Sequence, residues 1–164
     1  MSGGGKTNVN ILQFPKKTAV ILIGIQASGK TTFYEKYLLG QGFAHINLDN
    51  LKTRSREARA LESCLANGQS FAVDNTNPTK ADRARYIGPA KAGGYHIVGC
   101  YLRSCVRESL ARNEQRPRRV PAGAIANTSN RLELPGYAEG FDELWYVGIG
   151  ENGGFQIEKW REEA

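Results

Sequence analysis

Eight consecutive residues, Gly24-Ile25-Gln26-Ala27-Ser28-Gly29-Lys30-Thr31, carry the pattern G-x-x-x-x-G-K-S/T. Glycines let a backbone curl until successive N–H groups aim at one point, where they can hold phosphate oxygens. A helix opening at the lysine adds the partial positive charge of its N-terminus. The Lys30 ammonium can then reach the outer phosphates of a nucleotide, and the Thr31 hydroxyl can ligate magnesium. The expected nucleotide-binding set is therefore Gly24, Gln26, Ala27, Ser28, Gly29, Lys30, Thr31 and Thr32. The competing reading is a glycine-rich turn that happens to contain Lys-Thr, and the buried strand expected just before Gly24 argues against it. Gly3-Gly4-Gly5-Lys6-Thr7 is a partial look-alike without the strand or the first glycine, and it is set aside.

Three further segments carry reactive side chains. In Asn47-Leu48-Asp49-Asn50-Leu51-Lys52, just past a strand, Asp49 could take a proton from an attacking hydroxyl, or it could simply cap a helix. In Val73-Asp74-Asn75-Thr76-Asn77-Pro78, Asp74 could help hold magnesium and its water. The alternative there is an Asx-type turn before Pro78, the role read for Asn75 and Asn77. The stretch Arg112 to Arg119 is the densest in positive charge. Arg112 and Arg116 stand four apart, so one helical face could direct both guanidinium groups at phosphate, although a charge cluster can equally be a solvated face. His45, His96, Cys64, Cys100 and Cys105 show no spacing for a metal site or a nucleophile and read as structural.

The elements that must position these groups alternate. Ala19 to Ile23 reads as a strand buried on both faces, and 44–48, 71–73, 96–102 and 144–149 as further strands, with 155–158 as an edge. Helices are expected over 31–39, 54–66, 78–87 and 105–113, with Gly88-Pro89 kinking or ending the third. This predicts an α/β fold, a three-layer P-loop NTPase of kinase type with a central parallel sheet and a helical lid. Residues 1–17 are expected to be a flexible lead and 18–164 a single domain with its lid around 112–121.

Together these segments resemble the kinase domain of polynucleotide 5′-hydroxyl kinases, from about Thr18 to Ile149. The most specific portion is Val73-Asp74-Asn75-Thr76-Asn77-Pro78 with Asp82-Arg83-Ala84-Arg85-Tyr86, which looks like the D-N-T-N-P…S-R-A-R-Y stretch of the animal kinase-phosphatases. Arg112-Asn113-x-x-Arg116 looks like the family's lid, and Ala138 to Leu144 like the entry to its closing strand. The resemblance implies ATP and Mg2+ as cofactors, Lys30, Asp49 and Arg116 as catalytic residues, Arg112 as a second lid arginine, and Thr31 as the metal ligand. It implies that Asp49, Lys52, Asp74 and Asn75 lie near the acceptor, a 5′-OH end of RNA or DNA, with Asp49 as general base. The chain departs from the family at Gln26-Ala27, where Pro-Gly is common, at Gly88-Pro89, and at Lys52, an arginine in phage members. No Asp-x-Asp phosphatase motif occurs, so the bifunctional form is not expected.

Composition fits this reading. The 164 residues are 40% hydrophobic and 23% charged, a globular balance, with a net charge of +6 that suits an anionic partner. The longest apolar run, Ala19 to Ile25, is too short to span a bilayer, no signal peptide is visible, and three unpaired-looking cysteines suit a reducing compartment, so a cytoplasmic protein without membrane partners is expected. Two rivals to the polynucleotide kinase remain at this stage: a small-molecule or toxin-type P-loop kinase, and an ATP-binding switch without a fixed acceptor.

Overall fold

The six residues Thr18–Ile23, apolar or β-branched throughout, form β1, and every one is fully buried. A strand with no exposed face must sit inside a sheet covered on both sides. The computed structural model, which describes residues 12–150 and 152–162, shows this arrangement. β2 (Ala44–Ile46), β3 (Phe71–Val73), β4 (His96–Leu102), β5 (Glu143–Ile149) and β6 (Phe155–Lys159) join β1 in the order β2-β3-β1-β4-β5-β6. The first five run parallel and β6 returns antiparallel along β5.

Alternation along β1 divides the core between two faces. Ala19, Ile21 and Ile23 pack with Leu61, Tyr86, Ile87 and Ala90 on one side. Val20 and Leu22 pack with Phe33, Tyr34, Leu38 and Phe43 on the other. Apart from Phe43, which precedes β2, these residues come from α1 (Lys30–Phe33, prolonged by a π-helical turn at Tyr34–Leu38 and a 3-10 turn at Leu39–Gln41), α3 (Arg54–Asn67) and α4 (Lys80–Ala92). Between β2 and α3 lies the single turn α2 (Leu48–Leu51), and α5 (Val106–Glu114) and α6 (Ala122–Arg131) follow β4. The result is the expected three-layer α/β architecture.

The departures have physical reasons. β2 stops at Ile46, because Asn47 turns the chain into α2. α4 begins at Lys80, where Thr79 and Asp82 form a capping box, and it runs through Gly88-Pro89 to Ala92. Gly88 has no Cβ to clash with the proline ring, both residues face solvent, and Ile87 and Ala90 are held on the core face. α6 is a helix that the sequence did not announce: only Ile125 and Thr128 are buried along it, which is too few to print a period. Of the expected lead, residues 1–11, including the Gly3-Gly4-Gly5-Lys6-Thr7 look-alike, lie outside the described residues. Leu12 is in the core and Phe14 packs edge-on against Phe43, so the packed body begins before residue 18.

One buried ion pair fixes the loop after β3. The Arg83 guanidinium is fully buried. Its Nε and NH2 donate to the Glu139 carboxylate at 2.8 and 3.1 Å, and NH1 donates to the carbonyl of Asn77 at 2.9 Å. Glu139 in turn accepts from the Gly136 N–H. Removing one member of such a pair leaves a buried charge alone, so Arg83→Met should lower the unfolding free energy by about 3–5 kcal/mol. Urea denaturation checks this; a loss under about 1 kcal/mol, the range of a surface ion pair, would contradict it.

Candidate active site

Between β1 and α1 the chain has to reverse while keeping its N–H groups unspent. Ala27 (φ 62) and Gly29 (φ 101) take left-handed conformations, which is the curl expected of a phosphate cradle. Among the described residues, the N–H groups of Gln26, Ala27, Ser28 and Gly29 make no hydrogen bond. Gly24 lies beneath the loop, with its N–H on the Thr76 carbonyl at 3.0 Å. A Cβ there would stand 2.6 Å from Ser28 Oγ and 3.2 Å from the Leu102 carbonyl, so any larger residue would have to displace the Ser28 side chain. Lys30 Nζ folds back onto the carbonyls of Gly24 and Ile25 at 3.0 and 2.9 Å, marking the hollow where anionic oxygens would replace them. A loop of unspent donors around a buried ammonium fits a nucleotide's phosphates.

The hollow opens into a cleft of about 550 Å³. Gln26, Ala27, Gly29, Lys30, Thr31 and Thr32 form its floor, and Asp49, Asp74, Asn75, Arg112 and Arg116 line it too. Thus the structure brings together most of the residues singled out from sequence. Thr31 Oγ1 donates to Asp74 Oδ2 at 2.7 Å, which leaves the hydroxyl's lone pairs available as ligands. Asp74 Oδ1 has no hydrogen bond among the described residues, so hydroxyl and carboxylate together suit a hydrated magnesium ion. Asp49 sits in the first turn of α2, exposed, with no hydrogen bond or ion pair among the described residues. The cap of that helix is Asn47, whose Oδ1 accepts from the Asn50 N–H at 3.0 Å, so the N-cap reading of Asp49 falls.

Other expectations need correction. Asn75 stands in the wall, but its amide is fully engaged: Oδ1 accepts from the Leu48 N–H, and Nδ2 donates to Glu57 and to the Tyr86 hydroxyl. Lys52 does not line the cleft: it ends α2 with φ 80, exposed, as its N–H closes onto the Leu48 carbonyl. Arg54 lines the cleft instead, anchored on Glu57 Oε1 at 2.7 Å and on Tyr86 Oη at 3.1 Å. Arg116 is not on a helical face with Arg112, because α5 ends at Glu114, ahead of Pro117, and a residue preceding proline avoids helical geometry. Both still reach the cleft. Arg112 NH1 donates to the Ala27 carbonyl at 2.8 Å, and Asn113 ties the loop back through paired bonds to Val120.

Three contributors were missed. Arg131, at the end of α6, lines the cleft beside Asp82, and nothing local in the sequence points to it. Arg54 opens α3 just after the Asp49 turn, and its position next to that rim was the available signal. His45, read as merely structural, places Nε2 2.8 Å from Asp74 Oδ2. It precedes the last residue of β2, on the strand-end rim where parallel sheets bind ligands.

Comparison with known proteins identifies relatives of the chain. A family model described as an AAA domain, AAA_33, matches residues 20–135. The chain is 31% identical over 138 residues to a putative bifunctional polynucleotide phosphatase/kinase of Acanthamoeba polyphaga mimivirus, covering 79% of this chain and 32% of that protein. It is 33% identical over 132 residues to the bifunctional polynucleotide phosphatase/kinase of Schizosaccharomyces pombe, covering 76% and 32%. The chain thus spans about a third of the length of these curated relatives. In fold it is similar to Chaetomium thermophilum Kti12 in complex with ADP-AlF3, with a TM-score of 0.62 at 18% identity over 82% of this chain and 92% of that one.

Burial holds the Lys30 pKa down at about 8; Asp74 and Asp49 push it back up, while Arg116 lowers it further. Phosphates would favour the ammonium, so binding a nucleotide above pH 8 must take up a proton. Uptake should approach one proton near about pH 9 and nearly vanish near about pH 6.5, where the lysine is already charged. Titration calorimetry in buffers of different ionisation enthalpy measures this, and Lys30→Met should show none of it. The free protein should also gain stability as pH rises from about 8 towards 10.5, because there the unfolded chain keeps a proton that the folded one has released. Equal uptake by wild type and Lys30→Met would remove Lys30 from the phosphate site.

Proposed function

The chain belongs to the AAA_33 family of AAA domains, and on that footing we propose that it is a magnesium- and ATP-dependent kinase that phosphorylates the 5′-hydroxyl end of RNA or DNA. The observation that carries this reading is Asp49, a carboxylate without a partner among the described residues, in the same cleft as the phosphate loop. A general base needs a carboxylate that is not spent on other bonds and can come within hydrogen-bond reach of the acceptor hydroxyl. Lys30 already feels the charges of Asp49, Asp74 and Arg116, so all four groups act on one small volume.

The proposed mechanism is in-line attack. The loop N–H groups and Lys30 hold the outer phosphates of ATP; Asp49 accepts the proton of the acceptor hydroxyl as its oxygen attacks the terminal phosphorus, the bond from that phosphorus to the β,γ-bridging oxygen breaks, and ADP leaves. Arg116, with no other partner for its guanidinium among the described residues, offsets charge on the transferring group. Arg112 holds the loop from above through Ala27. The Thr31 hydroxyl and Asp74 would hold a magnesium ion, which would supply charge neutralisation to the phosphates.

The cleft also bears on the acceptor. Arg54, Arg112, Arg116 and Arg131 line it with Lys30, against Asp49, Asp74 and Asp82. An open wall of arginines suits a strand carrying phosphates better than a neutral sugar. The likeness to proteins called polynucleotide phosphatase/kinases supports the same acceptor. No helix among the described residues is long and apolar enough to cross a membrane, and Cys64, Cys100 and Cys105 are free thiols, which fits a cytoplasmic enzyme.

The test is transfer from γ-labelled ATP to a panel of 5′-hydroxyl oligonucleotides, set beside sugars and free nucleosides. Labelled oligonucleotide is the expected product; label on a sugar alone would replace this reading with a small-molecule kinase. Asp49→Asn should keep nucleotide affinity and lose about 10²–10⁴-fold in transfer rate. Survival of the rate within a few-fold would show that Asp49 is not the base. Arg116→Ala should slow turnover at saturating ATP far more than it weakens nucleotide binding, an effect on the order of 10³ where arginine meets the transferring phosphoryl group. Single-turnover kinetics separates the two, and an unchanged rate would place Arg116 on a solvated face.

A further inference from the structure

Behind the cleft, outside the set of residues that line it, the His45 imidazole shares a single carboxylate oxygen with the phosphate loop. Asp74 Oδ2 receives Thr31 Oγ1 at 2.7 Å and meets His45 Nε2 at 2.8 Å. An ionised carboxylate only accepts, so Nε2 is the donor in this bond. The ring itself is clamped. It stacks on Tyr34 with centroids 4.2 Å apart and planes 14° apart, and the Tyr34 hydroxyl is anchored on the Phe43 carbonyl at 2.6 Å. Tyr34 begins the π-helical turn of α1, three residues after Thr31. The helix that presents the cation-facing hydroxyl therefore also carries the platform that aims the imidazole at that hydroxyl's partner.

We propose that His45 is a positioning residue for the magnesium end of the site. Its N–H holds Asp74 in the one orientation in which Oδ2 takes the Thr31 proton and Oδ1 is left for a metal-bound water. Without that bond, the carboxylate can turn about its last torsion and the Thr31 hydroxyl loses a fixed acceptor. The role lies outside the cleft: His45 touches neither nucleotide nor acceptor and acts through Asp74. This inference rests on the magnesium-nucleotide reading of the cleft and not on the identity of the acceptor. A histidine that served only to pack between β2 and α1 would need the Tyr34 stack but not the bond to Asp74, and that difference makes the two separable.

The experiment is calorimetric binding of a non-hydrolysable ATP analogue to the intact chain, once in excess magnesium and once in EDTA. His45→Phe keeps an aromatic ring on Tyr34 and deletes the donor; His45→Gln returns a side-chain N–H. Loss of a partner behind a metal ligand costs roughly 10–100-fold in metal affinity or activity. The expected result is an unchanged affinity in EDTA, a magnesium enhancement reduced by roughly that factor in His45→Phe, and recovery of most of it in His45→Gln. Each ratio comes from one preparation, so a partly unfolded sample lowers stoichiometry and leaves the ratio intact; His45→Leu replaces the phenylalanine variant if that one does not fold. Full magnesium enhancement in the donor-less variant overturns the proposal. So does an equal loss in EDTA, which is the mark of packing alone, or an absence of enhancement in the wild-type chain. A protein that shows the expected pattern yet phosphorylates no hydroxyl would sink the kinase reading and leave this role of His45 standing.

Discussion

A carboxylate whose side chain is 2% exposed cannot be left without partners, and satisfying Asp74 organises the rest of the site. Its side chain reaches α1 through Thr31 and β2 through His45. Its backbone N–H joins the Ile46 carbonyl at 2.7 Å, and its own carbonyl accepts from Asn47 Nδ2 at 2.6 Å. The phosphate loop, the edge strand and the turn that presents Asp49 are thus referred to one residue at the end of β3. A shift of β3 against β2 would displace the Thr31 acceptor and the Asn47 cap together. Such coupling suits a reaction in which positioning contributes most of the catalysis.

A second tier surrounds this one. Asn75 joins the N-terminus of α2 to Glu57 and Tyr86, and Asn77 donates to the Leu22 carbonyl of β1 at 2.7 Å. Arg83 closes the same loop from below. The segment from Asp74 to Tyr86, where the likeness to polynucleotide kinases is most specific, is thus largely a framework. The Asp74 carboxylate joins the phosphate loop to β2 at the cleft, while Asn75, Asn77, Arg83 and Tyr86 keep the loop in shape. A sequence signature can be specific to a chemistry because it fixes the geometry that the chemistry requires.

That distinction explains what could be read in advance. The phosphate loop, the buried strand before it and the alternation of strands and helices were legible, because each is a local pattern with a local cause. The roles of Asn75 and Lys52 were not, since what decides them is a hydrogen-bond partner eighteen residues away in one case and a left-handed turn in the other. Arg116 lines the cleft, but from a loop and not from the expected helical face; Pro117 was the available warning. α6 escaped because its few buried side chains leave no period, and Arg131 escaped with it. His45 was missed for a different reason: its partner, Asp74, comes 29 residues later and meets it only through parallel pairing of β2 with β3.

The strand order carries a consequence for how the molecule comes to exist. β1 is the most apolar strand and is synthesised first, yet Ala19 pairs with Phe71 and Thr18 with His96. Contacts so distant along the chain make folding slow, since each must close a long loop before it gains anything. During synthesis, the run from Ala19 to Ile25 therefore waits without strand partners until β3 and β4 have left the ribosome. The phosphate loop waits longer, because Gln26 is tied to Thr128 on α6. Binding competence arrives only when nearly the whole domain has been made, and until then the nascent strand is a surface for chaperones to shield.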